Sequence, residues 1–273
     1  MSKTAFITMD VESYYDTMCL KNSDVLVDQQ FNCASEITRF LSFLDKEGIK
    51  ATFFVTISFL PYCKEFLLEA IKKGHEIALH AYEHESLTNI SVEDFDILLK
   101  KSKEIILREL GVVPFGFRFP CFEYRQELID VLNKNGFLYD SSVYLSDIKE
   151  HQRIDDVTYL KDCLYEIPLM DRKFLGQIVL ISGGGYMRMF PTFVTKRWIK
   201  KYIKNHDGYN FYFHPFEIYE KELPLPNKCK GRVKYYLNKG RKTYLKYIEY
   251  IVHFLKENDY QFSTISEHLK SVK

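Results

Sequence analysis

The chain has 273 residues, and its hydrophobic share of 46% is ample for a sizeable buried core. Its 38 basic and 37 acidic residues nearly cancel, which removes the electrostatic reason to expect nucleic acid as a partner. No segment approaches the ~20 consecutive apolar residues that a transmembrane helix needs.

Strand-like and helix-like segments alternate through the first half of the chain. Short apolar, β-rich runs predict strands, and helical patterns that end before a glycine predict helices. The predicted strands lie at 4–9, 51–55, 75–79 and 115–118, and the predicted helices lie at 33–47, in the segment ending at Lys73, at 91–110 and at about 125–135.

The alternation loosens after residue 136. Residues 182–185, a serine and three glycines, predict a flexible turn, and two prolines make residues 222–226 irregular. Further strands are predicted at 164–167, 177–181, 210–213 and 261–264, and further helices at 192–204 and 243–257. No repeat or interdomain linker is present, so one β/α domain over residues 1–273, built as a barrel, is the simplest prediction.

The cysteines and the first residues bear on the cellular compartment. The six cysteines follow no CxxC spacing, which is typical of reduced thiols in a cytosolic protein. The chain starts directly with a strand-like run, without the basic and apolar regions of a signal peptide. A cytoplasmic location is therefore expected.

Polar side chains recur where the apolar runs end. In wound α/β proteins the carboxyl ends of the strands meet at one rim, where functional sites are built. We therefore expect these side chains to share one site. They are Asp10, Glu12, His80, His84, Arg118 and His214.

His80 and His84 have the spacing of a metal-ligand pair. They could share a helical face or turn inward together from a loop. Three protein ligands and an open position mark a catalytic metal site, so a carboxylate is missing. Asp10 and Glu12 both qualify, because their spacing puts them on one face if the strand continues. The alternative is a chance HxxxH of surface residues, which the preceding strand and the carboxylates disfavour.

The same segments resemble the ordered motifs of polysaccharide deacetylases of the NodB-homology type, carbohydrate esterase family 4. Residues 8–12 resemble the first motif, although its usual form has two adjacent aspartates. Residues 74–84 closely match the second, metal-binding motif, residues 117–121 resemble the third, and residues 213–215 supply the late histidine.

The split spacing of Asp10 and Glu12 resembles a subgroup of that family linked to bacterial polysaccharide biosynthesis. Three further segments, 136–142, 183–186 and 214–217, look similar to the same subgroup. The resemblance implies a single-domain, distorted (β/α)7-type barrel, with a C-terminal basic loop and helix at about 221–273.

The resemblance also implies roles for individual residues. The metal ligands would be Glu12, His80 and His84, with Asp10 as the general base; the rival assignment makes Asp10 a ligand. His214 would be the general acid, Arg118 would keep Asp10 ionised and oriented, and the backbone N–H of Cys121 would be an oxyanion donor. Two histidines and one carboxylate suit Zn²⁺, but also Fe²⁺ or Co²⁺.

Two other interpretations of these segments are weaker. A nucleophilic role for the Cys121 thiol lacks a candidate base at a motif-defined spacing. Residues 182–185 lack the Lys-Ser/Thr of a phosphate-binding P-loop, so a substrate-facing loop is the better prediction.

Residues 228–246 carry eight basic residues and no acidic one, with three tyrosines interleaved. One interpretation is a solvated loop and helix start. The other is a contact with the phosphate of a nucleotide-linked or lipid-linked sugar, at a peripheral membrane contact.

Together these observations predict a metal-dependent hydrolase that removes an N-acetyl group from an amino sugar. The expected substrate is a precursor of a bacterial surface polysaccharide, either the O-antigen of lipopolysaccharide or a capsule. One alternative is a hydrolase of the same fold acting on another C–N amide bond. The other is a catalytically silent carbohydrate-binding relative, which the retention of all six rim residues disfavours. The oligomeric state is left open.

Overall fold

The structure is a computed structural model that describes residues 3–17, 20, 34–149, 153–155, 157–161, 164–225, 229 and 231–272. Its strands are β1 (Lys3–Val11), β2 (Thr52–Val55), β3 (Glu76–Leu79), β4 (Gly116–Phe117), β5 (Tyr139–Asp140), β6 (Tyr159–Lys161), β7 (Leu164–Glu166), β8 (Asp171–Phe174), β9 (Gln177–Leu180), β10 (Gly208–Phe213) and β11 (Tyr260–Phe262). Its helices are α1 (Ala34–Glu47), α2 (Leu60–Lys72), α3 (Val92–Leu110), α4 (Gln126–Lys134), α5 (Gly184–Met189), α6 (Thr192–Tyr202), α7 (Gly231–Asn238), α8 (Tyr244–Lys256) and α9 (Ile265–Val272).

Parallel strands form the centre of the molecule in the order β10-β1-β2-β3-β4-β5-β7. The antiparallel β6 extends this sheet beyond β7, and β11 pairs with the first residues of β1. β1 and β10 are buried over most of their length, because helices cover a parallel sheet and leave neither face to water. Their burial explains why both strands read as almost continuous apolar runs.

The barrel closes through irregular segments between β7 and β10. Tyr144 forms a parallel bridge with Leu169, the carbonyl of Met170 accepts hydrogen bonds from the backbone of residues 181 and 182, and Gly183 bridges to Tyr212 in β10. The predicted α/β fold with a distorted (β/α)7-type barrel is confirmed, with seven parallel strands and short bridges in place of a continuous closing strand.

Local helix signals act as expected. Ser91 caps α3, because its side chain accepts a hydrogen bond from the backbone N–H of Asp94. Gly111 ends the same helix at φ 73°, a left-handed conformation that glycine adopts without steric cost. The predicted start of the first helix at Cys33 lies outside the described residues.

The prediction of a flexible turn at residues 182–185 was wrong, because Gly184 and Gly185 begin α5. The glycines serve close packing instead. A Cβ on Gly183 would lie 1.8 Å from the backbone oxygen of Tyr212, and one on Gly185 would lie 2.3 Å from the hydroxyl of Tyr236. The predicted strand at 177–181 is confirmed over Gln177–Leu180 as β9, which pairs with β8 in a separate hairpin.

Short elements escaped the sequence analysis because they lack a full period of apolar residues. They are β5, β6, β8, α5, α7 and α9. The expectation of irregular backbone holds over residues 222–225, while residue 226 lies outside the described residues. No helix in the described ranges is both long and apolar enough to cross a membrane.

His75, just before β3, makes the stability of the fold sensitive to acid. Its Nδ1 accepts a hydrogen bond from the backbone N–H of Ala51 at 3.0 Å, and its ring lies edge-on to Phe53. Burial, reinforced by the charge of Lys50, lowers the pKa of His75 from 6.5 to about 4. Between those two pH values, His75 therefore binds a proton in the unfolded chain but not in the folded chain.

We predict that the free energy of unfolding falls as the pH falls from 6.5 towards 4, and falls less in His75→Asn. The asparagine oxygen replaces Nδ1 as acceptor but does not titrate. Urea unfolding of both proteins at pH 7.5 and pH 5 measures the difference. Equal losses of stability in the two proteins would contradict the assignment to His75.

Candidate active site

The carboxyl ends of strands β1, β3, β4 and β10 bring all six predicted rim residues into one region. Five of them, Asp10, Glu12, His80, His84 and His214, line a cavity of about 480 Å³. The sixth, Arg118, lies fully buried behind the cavity wall. Cys121 also lines the cavity.

Glu12 forms a cluster with two histidines. Its Oε2 lies 2.7 Å from Nε2 of His84 and 3.4 Å from Nε2 of His80, and one ligand atom from each residue falls within 4.8 Å of the other two. The same Oε2 is buried and has no hydrogen-bond partner among the described residues. Three converging ligand atoms, one of them a buried carboxylate oxygen, suit a divalent cation.

The charge of Glu12 also suits a cation. Burial favours its protonated form, but the neighbouring His84, with His80 and His214, outweighs burial and holds the pKa of Glu12 well below its ordinary value. Glu12 is therefore a carboxylate at neutral pH.

A hydrogen bond outside the cluster sets the tautomer of His80. Its Nδ1 lies 2.8 Å from the backbone carbonyl oxygen of Arg118. A carbonyl only accepts, so Nδ1 carries the proton and Nε2 presents its lone pair towards Glu12. This hydrogen bond to the Arg118 carbonyl suits Nε2 of His80 to metal binding.

The two histidines approach Glu12 from a loop, which settles the alternative left open by their spacing. Residues 81–84 are not helical, and Ala81 adopts φ 66° immediately after His80. Backbone hydrogen bonds from Ile57 and Ser58 to the carbonyls of Ala81 and Tyr82 hold this turn in place. The left-handed residue lets the chain reverse within a few residues and return His84 to the cavity.

Arg118 is fully buried and has a partner for each part of its guanidinium. Nη1 donates to Oδ1 of Asp10 at 2.6 Å and to Thr8 Oγ1 at 3.0 Å, while Nε and Nη2 donate to the carbonyl and the hydroxyl of Ser141. The guanidinium also stacks 4.0 Å from the ring centroid of Phe54. These contacts fix the Asp10 carboxylate in one orientation.

The carboxylates of β1 therefore occupy different surroundings. Glu12 faces the histidines, whereas Asp10 faces Arg118 and stays outside the three-residue cluster. Across the cavity, Nε2 of His214 lies 3.9 Å from Oδ2 of Asp10 and 3.7 Å from Oε1 of Glu12.

A buried ion pair behind His214 was not singled out by the sequence analysis. Nδ1 of His214 donates to Oε2 of Glu217 at 2.9 Å, and Nε of Arg188 donates to Oε1 of Glu217 at 2.5 Å. Arg188 also donates to the backbone carbonyls of Tyr236 and Lys239. The three charged side chains form a row from the cavity wall to the C-terminal end of α7, where Arg188 binds the backbone.

This row controls the charge of His214. Burial alone would favour the neutral ring, but Glu217, with Glu12 and Asp10, raises the pKa of His214 to about 9. Burial likewise opposes the ionisation of Glu217, yet Arg188 and His214 lower the pKa of that carboxyl to about 2. His214 thus carries a proton on both nitrogens at neutral pH.

The sequence contained one signal for Glu217 and none for Arg188. Glu217 lies three residues after His214 and closes a capping box, because the backbone N–H of His214 also donates to Oε2 of Glu217. Arg188 lies on a different element, α5, and only the tertiary fold brings it to Glu217.

Cys121 and Phe122 lie in an unusual backbone conformation, at φ 57° and φ 60°. The ring of Phe122 packs at 5.2 Å against Tyr212 and at 6.2 Å against Tyr144, which anchors this turn beside the cavity. Strained non-glycine residues of this kind persist where the surrounding structure holds them, often next to functional sites.

Of the two interpretations of residues 228–246, a wholly solvated segment is wrong for part of the range. Arg232, Val233 and Tyr236 of α7 line the cavity. Arg241 is buried and donates to the backbone carbonyls of Tyr219 and Lys221. Lys228 and Lys230 lie outside the described residues.

Two family models match consecutive parts of the chain. Residues 26–139 match the polysaccharide deacetylase family, and residues 146–270 match a domain of unknown function. The first match contains His80, His84 and Arg118, the second contains His214, and both Asp10 and Glu12 precede the matched residues.

Curated relatives match the chain over short segments. A peptidoglycan deacetylase-like protein of Gibberella zeae is 34% identical over 112 residues, which are 39% of this chain and 32% of the relative. A peptidoglycan deacetylase of Helicobacter pylori is 30% identical over 111 residues, which are 41% of this chain and 38% of the relative. The matches thus span about a third of the relatives' lengths. The family model and these relatives show similarity to polysaccharide deacetylases over part of the chain.

Solved structures share the fold over nearly the whole chain. A candidate polysaccharide deacetylase from Mycobacterium smegmatis aligns with a TM-score of 0.65 and 20% identity, covering 100% of this chain and 91% of the other. A family 4 acetyl xylan esterase from Clostridium thermocellum, solved with a cobalt ion, aligns with a TM-score of 0.56 and 16% identity over 99% and 93% of the two chains. A Bacillus anthracis protein described as a pseudoenzyme of that family aligns with a TM-score of 0.58 and 15% identity over 97% and 65%.

We predict that Glu217→Gln destabilises the protein by about 3–5 kcal/mol, because it leaves the buried Arg188 cation without its partner. The double variant Arg188→Met/Glu217→Gln should lose less, since neither charge remains buried alone. Urea unfolding measures both. The exposed pair Arg39 and Glu220, 2.8 Å apart, is the matched control, and Glu220→Gln should cost less than about 1 kcal/mol. Equal losses at the buried and exposed pairs would contradict the prediction.

Proposed function

We propose that this protein is a metal-dependent N-deacetylase that hydrolyses the acetamide of an amino sugar. The observation that carries the proposal is the three-residue cluster of Glu12, His80 and His84 at the cavity, with Asp10 and His214 beside it. The family match and the deacetylase names of the curated relatives support the reaction class.

Oε2 of Glu12 and Nε2 of His80 and His84 would hold the divalent ion. When bound, it would polarise the amide carbonyl as a Lewis acid and activate water for attack. Two imidazoles and one carboxylate suit Zn²⁺ best, with Fe²⁺ and Co²⁺ as the other candidates.

Asp10 is the proposed general base, and His214 is the proposed general acid. Arg118 binds one oxygen of Asp10, and the other oxygen, Oδ2, lies on the side of His214, so it can accept the proton of an attacking water. His214 carries a proton on Nε2 at neutral pH, because its pKa is about 9, and can deliver it to the leaving amine. Glu217 holds the ring through Nδ1 during this transfer.

The cavity suits a sugar in size and lining. Its volume of about 480 Å³ lies in the range of small-molecule sites, roughly 300–1,000 Å³. Tyr144, Tyr186 and Phe216 offer ring surfaces in the lining. Cys121 also lies in the lining, and its backbone N–H is the proposed oxyanion donor. The subgroup resemblance supports a precursor of a bacterial surface polysaccharide, linked to a nucleotide or a lipid, as the substrate.

Asp10 and the three-residue cluster should have separate roles, which single substitutions can distinguish. His84→Ala should lose both the bound metal and the release of acetate from N-acetylglucosamine oligomers and from the nucleotide-linked sugar. Asp10→Asn should keep the metal and slow acetate release by about 10²–10⁴-fold, the usual contribution of a general base. His253→Ala, which changes an exposed histidine, is the control.

Metal content by mass spectrometry and acetate release are measured on the same samples. If Asp10→Asn lost the metal and Glu12→Gln kept it, the two carboxylates would have the opposite roles. If the wild-type protein bound metal but hydrolysed small cyclic amides rather than sugars, the substrate class would be wrong. A protein that bound no divalent ion would rule out the mechanism.

The backbone of Cys121, rather than its thiol, should be needed for acetate release. Cys121→Ser should retain acetate release within about threefold, because an oxyanion donor is a backbone N–H and the side chain is not needed. Kinetics before and after treatment with a thiol-alkylating reagent provide the measurement. A loss of activity in Cys121→Ser comparable to that of Asp10→Asn would revive the nucleophilic cysteine.

A further inference from the structure

Two large apolar side chains are highly exposed on two elements that pack together. Leu175 at the tip of the β8–β9 hairpin is 88% exposed, and Phe193 in the first turn of α6 is 75% exposed. We refer to these residues and the exposed cations of α6 as the hairpin–helix surface. Clustered exposed apolar side chains commonly mark a surface that contacts a partner or a membrane.

The hairpin and α6 form one packed unit. The ring of Phe174 lies 5.3 Å from Trp198 and 5.6 Å from Phe190, and Arg172 stacks 4.8 Å over Trp198. Lys173 pairs with Ile178 across the hairpin, so both side chains project from the opposite face. The apolar tip is therefore held against α6 rather than free to fold back onto the core.

Leu175 occupies a position that the turn itself does not favour. The hairpin has a two-residue loop between the paired Phe174 and Gln177, and both loop residues have positive φ, 49° at Leu175 and 80° at Gly176. Such a turn prefers asparagine followed by glycine. A leucine here adds backbone strain and exposes an apolar side chain, so its benefit must come from something outside the fold.

The exposed charges of α6 are all positive. Residues 172–206 contain eight lysines and arginines and no aspartate or glutamate, and one of the eight, Arg188, is buried against Glu217. On α6, Arg197, Lys200 and Lys201 are exposed and follow Phe193 at four, seven and eight residues, which puts them on its side of the helix.

We propose that the hairpin–helix surface binds an anionic membrane surface. Leu175 and Phe193 insert between the lipid headgroups, and the cations of α6 lie against lipid phosphates. A membrane fits better than a protein, because the apolar side chains stand on a projecting turn and a helix end, and the charged residues of α6 are all positive. Leu180 and Tyr186, which adjoin this unit in the chain, line the cavity. If the proposed function holds, the contact keeps the cavity beside a membrane-borne substrate.

Vesicle sedimentation with the full chain tests the surface independently of catalysis. We expect binding to vesicles of equimolar phosphatidylcholine and phosphatidylglycerol, weaker binding at high salt, and little binding to phosphatidylcholine alone. Leu175→Asn/Phe193→Ser should weaken partitioning about tenfold. Arg197→Gln/Lys200→Gln/Lys201→Gln should weaken it about a hundredfold, since each cation near the surface contributes about a factor of five.

The controls guard against misfolding and self-association. Ile97→Asn/Leu107→Ser removes two exposed apolar side chains from α3, 61% and 50% exposed, and should leave partitioning unchanged. Asparagine at position 175 suits the turn, so the apolar variant should unfold at the same urea concentration as the wild type or a higher one. Acetate release from a soluble sugar should be unaffected in all these variants.

Equal partitioning of the wild type and the hairpin–helix variants would overturn the proposal, as would the absence of binding to anionic vesicles. A dimer seen by light scattering that the Leu175→Asn/Phe193→Ser variant converts to a monomer, without any vesicle binding, would instead assign the surface to a second copy of the chain. A wild-type protein that released no acetate but still bound anionic vesicles would count against the proposed function and would support the membrane-binding surface.

Discussion

The active-site region depends on the burial of one arginine. Arg118 places a full positive charge in the interior of the barrel, which costs several kcal/mol of desolvation unless each donor finds a partner. Thr8, Asp10 and Ser141 supply those partners, and Phe54 supplies a ring face. Because the guanidinium is fixed, the Asp10 carboxylate is fixed as well. The backbone carbonyl of Arg118 also determines which nitrogen of His80 carries the proton.

One residue thereby couples the position of Asp10 to that of His80. Arg118 follows β4, and its backbone N–H donates to the carbonyl of Leu79 at the end of β3. The pairing of β3 with β4 thus places the Arg118 carbonyl beside His80, while the side chain extends across the barrel to β1. The strand register and the chemistry of the cavity are consequences of the same contacts.

The second half of the chain supplies the opposite wall. Arg188 and Glu217 form a buried ion pair that orients His214 and connects it to the backbone of α7. Residues 185–188 and 232–236 contribute the wall of the cavity that faces the strand ends. The part of the chain that matches a domain of unknown function therefore provides both the proposed acid and the surface that a substrate would meet.

The amino-acid sequence by itself determined the alternation of strands and helices and the rim residues, because apolar periodicity, helix caps and residues at strand ends are local features. It also identified His80 and His84 as a pair, since four residues separate them. Only the tertiary structure decided that Glu12 rather than Asp10 lies beside them. The spacing of the two carboxylates puts both on one face, and it does not show that Asp10 pairs with Arg118 while Glu12 faces the histidines. Tertiary structure alone likewise brought Arg188 to Glu217, buried Arg241 and put α7 on the cavity wall. Contacts between elements far apart in the chain depend on how the barrel closes, and no local pattern encodes that closure.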